Sequence, residues 1–367
     1  MNGTIDHRPD RPKPWRARYL APNGSQPSRS FTIKADAERW LRSEITTLDR
    51  GEWSDPVGGT TRYSDHARGW VNGLVGLRKK TVLGYESLLR SRVLPVFGNH
   101  QLRRIQPADV RLWVAGMDTE GLSPSRIRQA HQVLSASLDQ AVRDNSLVRN
   151  PASGVRLPRS RPREMLFLTP DQIHRLAALA SHRRPGSGTL ITLLAYTGLR
   201  WGEAVALRVN SIDQLRRRIH VTESATEVGG QLIFDRPKNH RARVVIPPAS
   251  IMDEIATHIT RFSGPDGLVF TSPNGHPLRS PNFRRSVWTP AVGDLTLDFP
   301  DLDGLRIHDL RHTAASLAIS CGANTKAIQR MLGHKDASMT LDVYGHLYTE
   351  DLEALSDRLD ERYRGAA

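Results

Sequence analysis

Four stretches in the second half of the 367-residue chain carry side chains able to bind and attack an anionic group. In Thr197-Gly198-Leu199-Arg200-Trp201-Gly202-Glu203 the first glycine ends an apolar run and lets the chain turn sharply. That turn can set Arg200 beside a bound group, with Glu203 to orient the guanidinium. Arg236-Pro237-Lys238-Asn239-His240-Arg241-Ala242-Arg243 lies between two strand-like runs, so it is expected to be a hairpin turn from which Lys238 projects. His308-Asp309-Leu310-Arg311-His312 puts His308 and Arg311 three apart, on one helix face, where both reach the same ligand while Leu310 turns to the core. Leu332-Gly333-His334 sets an imidazole at a break in the chain, and Tyr344 follows in Asp342-Val343-Tyr344-Gly345-His346. Singly, each has a blander reading: an ion-paired arginine, a solvated loop lysine, a chance His-x-x-Arg, a core tyrosine. Their order within one stretch of a basic protein is what gives them weight.

Several elements must gather these residues. Thr169-Pro170-Asp171 reads as a helix cap. An apolar helix over 188–197 ends at Gly198, and another helix begins over 201–209. Strands are expected at 215–222, 231–236 and 242–247, and helices at 249–261, 308–319 and 324–332. Together they make a mainly helical unit, 165–350, with a small antiparallel sheet. Residues 351–367 read as a tail helix with Leu352, Leu355 and Leu359 at helical spacing. Upstream, 61–150 is all-helical: Tyr63, Ala67, Trp70, Val71 and Leu74 form one stripe, and Val82, Tyr85, Leu88 and Leu89 another. A further helix starts at Ser123-Pro124 and runs through Ile127, Leu134, Leu138 and Val142. Residues 151–164 hold three prolines and, counting Arg149 just before them, five arginines, which makes a basic linker. At the front, within 1–57, Trp15–Leu20 alternates as a strand does, Pro22-Asn23-Gly24 marks a turn, Arg29–Ile33 forms the next strand and 35–49 a helix. Residues 1–12, polar and proline-bearing, read as loose. The fold class is multidomain α+β.

The net charge is +14, and residues 61–164 alone contribute +10 of it. A basic excess gathered in one segment is the footprint of a phosphate-binding surface. Arg78, Lys79, Lys80, Arg126 and Arg128 are the candidate contacts there, although Lys and Arg line most exposed helix faces. The single cysteine, Cys321, excludes an internal disulfide and a cysteine metal cluster. A polar N-terminus and the lack of a long apolar run point to a soluble, intracellular protein with no membrane partner.

The catalytic stretch resembles the tyrosine recombinases, also called the phage-integrase family, whose pattern runs Arg, Lys, His-x-x-Arg, His or Trp, then Tyr. Here Arg200 stands in TGLRWGEA, Lys238 in a strand–turn–strand, His308 and Arg311 in HDLRHT, His334 in LGH and Tyr344 in VYGH. The Gly-His to Tyr gap is one residue longer than in some relatives, which leaves Tyr348 as a second candidate nucleophile. Residues 61–150 are similar to the family's helical core-binding domain, on KKTVLGYESLL and the break from Pro95 to Gly98. WRARY, the Asn-Gly turn and AERWL resemble the small three-stranded arm-binding domain of many integrases.

The resemblance implies a site-specific recombinase that integrates, and also excises, a phage or mobile element. In that reading Arg200 and Arg311 clamp the phosphate oxygens and stabilise the charge of a pentacovalent transition state. His334 donates a further hydrogen bond, Tyr344 attacks to give a 3′-phosphotyrosyl bond, His308 takes its proton, and Lys238, or a neighbour such as Arg241, protonates the leaving 5′ oxygen. The bond energy is stored, so neither metal nor ATP is required and no cofactor is expected. Implied partners are double-stranded DNA attachment sites held in a clamp, three further copies in a homotetramer docked through the tail, an excisionase and a host DNA-bending protein. The competing readings are a type IB topoisomerase and a catalytically inactive DNA-binding accessory protein.

Overall fold

The computed structural model describes residues 3–55, 57–159, 164–237, 242–262, 264, 267–345 and 351–365. It divides into two units, Met1–Pro162 and Arg163–Ala367. The division falls inside the proline- and arginine-bearing stretch 151–164.

The first unit has two cores. In one, β1 (Gly3–His7), β2 (Trp15–Tyr19) and β3 (Ser28–Phe31) form an antiparallel sheet in that order, with α1 (Lys34–Asp49) packed on it. Ala17, Tyr19, Ala37, Leu41 and Trp53 fill the space between them. Tyr19 is fixed through its polar tip: Trp53 Nε1 donates to its hydroxyl at 2.9 Å, and that hydroxyl donates to Glu44 at 3.0 Å. Residues 3–7 are not loose, as the composition of 1–12 suggests. Gly3–His7 pairs along its length with β2, and Arg18 Nε donates to Thr4 at 2.9 Å. Backbone pairing recruits this strand rather than apolar patterning, so hydropathy passes over it. The second core belongs to α2 (Tyr63–Asn72), α3 (Lys79–Leu88), α4 (Leu94–Phe97), α5 (Pro107–Thr119) and α6 (Pro124–Arg143). Tyr63, Phe97, Ile127, Leu134 and Leu138 are fully buried there, and Tyr63 shares a 2.7 Å hydrogen bond with Ser137.

The second unit is built on α7 (Pro170–Arg183) and α8 (Ser187–Thr197), followed by α9 (Trp201–Val205). Strands β4 (Ile212–Asp213), β5 (Arg218–Val221), β6 (Ser224–Val228), β7 (Gln231–Asp235) and β8 (Arg243–Val245) come next. Then follow α10 (Ala249–Phe262), α11 (Ser280–Phe283), α12 (Thr289–Asp298), α13 (Asp309–Ser320), α14 (Thr325–Leu332), α15 (Ala337–Tyr344) and α16 (Asp351–Arg364). Helix α8 is apolar on every side, and a helix of that kind belongs inside. It packs against α7, α10 and α13, burying Leu190, Ile191, Leu193, Leu194 and Ala195. Each of the leucine and isoleucine side chains contributes roughly 1.5–3 kcal/mol on burial. The second helix of the pair is shorter than its apolar spacing suggests: α9 stops at Val205, short of 209.

The strands also pair differently from the expected hairpin. β7 pairs with β6, and β8 pairs with β5, so the runs flanking Lys238 belong to separate sheets, ordered β6-β7 and β4-β5-β8. The tight hairpin lies earlier. Gly229 and Gly230 both take positive φ, 57° and 78°, and close β6 onto β7. Two successive left-handed residues make the two-residue turn that matches strand twist.

Candidate active site

Arg200 owes its place to the end of α8. Gly198 is left-handed at φ 64°, and a β-carbon there would overlap Leu332 Cδ2 of α14, so glycine is what lets the two helices meet. The reversed chain starts α9 with Arg200 as its N-cap. Glu203, one turn in, accepts the Arg200 backbone N–H at 2.8 Å and a guanidinium N–H at 2.9 Å. The same carboxylate accepts both terminal nitrogens of Arg243 from β8, at 2.9 and 2.7 Å. Burial alone would raise the Glu203 carboxyl; the bonds and charge of Arg243, then of Arg200, outweigh it and hold it at about 2. Arg243 in turn lies against Gly333, where a β-carbon would stand 2.9 Å from Arg243 Cδ.

Arg311 is buried in the first turn of α13, with 3% of its surface exposed. Its guanidinium donates to two carbonyl oxygens, those of Gly198 and Leu332, the second at 2.6 Å. Both carbonyls stand at helix C-termini, where the helix dipole is negative and favours a cation. Arg311 therefore ties the Arg200 turn to the His334 turn. Burial, then the facing Arg200, lowers its guanidinium to about 9. Five N–H donors are available on a guanidinium, so these two bonds do not exhaust it.

Three imidazoles and a phenol complete the cluster. His308 is the N-cap of α13 and His312 lies one turn on; their rings are 5.2 Å apart and nearly perpendicular. Gly333 ends α14 with φ 66°, and His334 beyond it is hydrogen-bonded through Nδ1 to the buried Thr340 at 2.9 Å. Burial, then neighbouring positive and imidazole groups, pushes His308 and His334 down to about 4, which leaves both neutral near pH 7. Tyr344 closes α15, is 1% exposed, and packs with Ala315, Ile328 and Leu332. Its hydroxyl is 2.8 Å from His312 Nδ1. Burial lifts that phenol to about 12, against the pull of Arg311. Beside the cluster runs a groove lined by Arg200, Arg243, Lys326, Arg330, His334 and Lys335. Two guanidiniums, neutral imidazole donors and a phenol at a cationic groove can bind a phosphodiester and attack it.

The pattern described as Phage integrase family matches residues 166–351, and that of the phage integrase N-terminal SAM-like domain matches 75–117. The integrase of Mycobacterium phage D29 is 31% identical over 343 residues, 88% of this chain and 85% of that one. The chain belongs to the phage integrase family. It is a site-specific tyrosine recombinase of the kind that integrates mobile elements. Its fold is that of the Tn1549 transposon integrase solved with transposon right end DNA, with TM-score 0.68 at 22% identity over 82% of this chain and all of that one. A lambda integrase tetramer bound to a Holliday junction gives 0.59 at 17% identity over 91% and 96% of the two chains.

Within this recombinase the structure brings Arg200, Glu203, His308, Arg311, His334 and Tyr344 together. Lys238, Arg241 and Tyr348 lie outside the described residues. Arg78, Lys79 and Lys80 sit at the start of α3, and Arg126 and Arg128 in the opening turns of α6. Lys79, Lys80, Arg126 and Arg128 are exposed, and Arg128 donates to the Pro158 carbonyl at 3.2 Å. Two contributors escape sequence reasoning. Arg243 is visible only as the last residue of a basic run, and the β5–β8 register is needed to aim it at Glu203. His312 adjoins the His-x-x-Arg motif. The imidazole on the Tyr344 hydroxyl is that of His312, not of His308, and the i, i+4 spacing from His308 is the signal that could have found it. No helix among the described residues is long and apolar enough to cross a membrane.

Proposed function

We propose that Tyr344 is the nucleophile with which this recombinase breaks and reseals DNA. Its Oη gives up its proton to a neighbouring imidazole and forms a bond to phosphorus as the bond to the 5′ oxygen breaks, and that oxygen takes a proton from Lys238. Resealing runs the same steps backwards. Arg200 and Arg311 hold the non-bridging oxygens and offset the charge that builds on them. His308 and His334, kept neutral, add N–H donors to the same phosphate without adding further positive charge. Glu203 and Arg243 hold Arg200 in place. The observation that carries this reading is the convergence of Arg200, Arg311, His334 and Tyr344, with Arg311 bonded to the turns that carry the first and third.

The reading extends to the rest of the chain. Residues 1–57 serve as an arm-type DNA-binding domain, 61–150 as the core-binding domain, 151–164 as the linker and 165–350 as the catalytic domain. The working form is a homotetramer on paired attachment sites, with 351–367 docking on a neighbouring copy, and with an excisionase and a host DNA-bending protein setting direction. The exposed Leu359 and Tyr363 of α16 support the docking role. The test is covalent capture. Nicked duplexes from a random pool are incubated with the full chain, and protein–DNA adducts are recovered on a denaturing gel. Wild type should capture a defined core sequence and Tyr344→Phe none. An adduct that persists in Tyr344→Phe but vanishes in Tyr348→Phe would move the nucleophile by one helical turn.

A further inference from the structure

The geometry points to His312 as the proton acceptor for the Tyr344 hydroxyl, an assignment that rests on Tyr344 being the nucleophile. A phenol must lose its proton to become a competent attacking group, and that proton needs a named destination. Tyr344 is 1% exposed, so bulk water is a poor one. The atom next to the hydroxyl is His312 Nδ1, at 2.8 Å, within the range a general base requires. His308 stands a turn away, its ring against the His312 ring rather than on the hydroxyl.

The tautomer follows from the chemistry. A neutral imidazole that accepts at Nδ1 carries its hydrogen on Nε2. The groups facing His312 are His308, Asp309, Arg306 and Arg311 from its own helix and the turn before it, Tyr344 from α15, and His334 from the turn that follows α14. Burial comes first among the influences that lower its basicity; Asp309 opposes it, and Arg306 and Arg311 reinforce it. The ring therefore rests neutral, with its lone pair available. A DNA phosphate arriving between the arginines brings negative charge close to the ring and raises its basicity at the moment of attack.

The step balances. The proton passes from Tyr344 Oη to His312 Nδ1 as the Oη–P bond forms; the P–O5′ bond breaks and the 5′ oxygen is protonated by the separate acid. On resealing, the 5′ hydroxyl attacks, the P–Oη bond breaks, and His312 returns its proton to the phenolate.

The test uses the full chain and the duplex captured by wild type. His312→Asn can keep a hydrogen bond to Tyr344 but cannot take its proton; His312→Gln is a second variant should the first fail to fold. Adduct formation should slow by about 10²-fold in either, the usual scale for a lost general base. The deficit should shrink as pH rises and the phenol ionises unaided. A duplex with a 5′-bridging phosphorothiolate, whose thiolate leaves without a proton, should not rescue the rate. Rescue by that duplex would place His312 on the leaving group instead. A rate within about threefold of wild type, or a loss that does not change with pH, would overturn the assignment. Failure of the underlying reading has a different signature: wild type captures no duplex, or Tyr344→Phe still forms the adduct.

Discussion

Glu203 is a buried carboxylate that stays charged because two arginines hydrogen-bond to it. Removing it leaves Arg200 and Arg243 to repel Arg311 in a poorly solvated place. Loss of one partner from a buried ion pair costs about 3–5 kcal/mol, so Glu203→Ala should lower the unfolding free energy by that much in urea denaturation at pH 7. The pH dependence has a definite sign. A carboxyl held at about 2 instead of the ordinary 4.5 stabilises the fold fully above the ordinary value, and that contribution is lost as pH falls towards 2. The gap between wild type and Glu203→Gln should therefore close over that acidic window. Glu203 is readable beside Arg200, since a carboxylate three residues into a helix reaches back to its cap. Arg243 is not, because a strand residue faces one sheet side or the other according to its pairing. His312 is marked only by its i, i+4 spacing from His308, a signal that gains meaning once Tyr344 is packed against it.

At the scale of elements, the ends of α8 and α14 make the site. Gly198 and Gly333 are both left-handed, and each lets a side chain from another element come close. Gly198→Ala forces a β-carbon into Leu332 and strains φ, at a cost of about 1–3 kcal/mol. It should lower the melting temperature and weaken adduct formation together, because Leu332 supplies one of the carbonyls that hold Arg311; unchanged melting would count against this packing. The long apolar elements are readable: α8 from its unbroken apolar run, α6 from its Ser-Pro cap and stripe. Short strands are less so. β1 is held mainly by backbone pairing, with Ile5 its apolar contact to the core, and the Gly229-Gly230 turn is hidden because β6, Ser224–Val228, carries too few apolar residues to register as a strand. Pairing between strands distant in sequence, as in β5 with β8, is set by tertiary packing and leaves little local trace.

For the whole molecule, charge is the organising quantity. Arg78, Lys79 and Lys80 crowd the positive end of the α3 dipole with no acidic residue in its first turn, and the start of α6 likewise lacks one. An anion such as a DNA phosphate is favoured at a helix start of this kind by a few tenths to about 1 kcal/mol. Neutralising Arg78, Lys79, Lys80, Arg126 and Arg128 together should flatten the salt dependence of DNA binding. The log–log slope should fall by about 0.9 for each phosphate no longer neutralised, measured by fluorescence anisotropy on the captured duplex. A slope equal to that of wild type would remove those five from the interface. Cys321, the only cysteine in the sequence, has a use outside the chemistry. It is exposed at the C-cap of α13, with the whole helix, about 18 Å long, between it and His308. A thiol-reactive dye would therefore mark each chain once, at the opposite end of that helix from the His-x-x-Arg motif. Single-molecule bleaching steps on one DNA would then count the copies assembled there without any engineered tag.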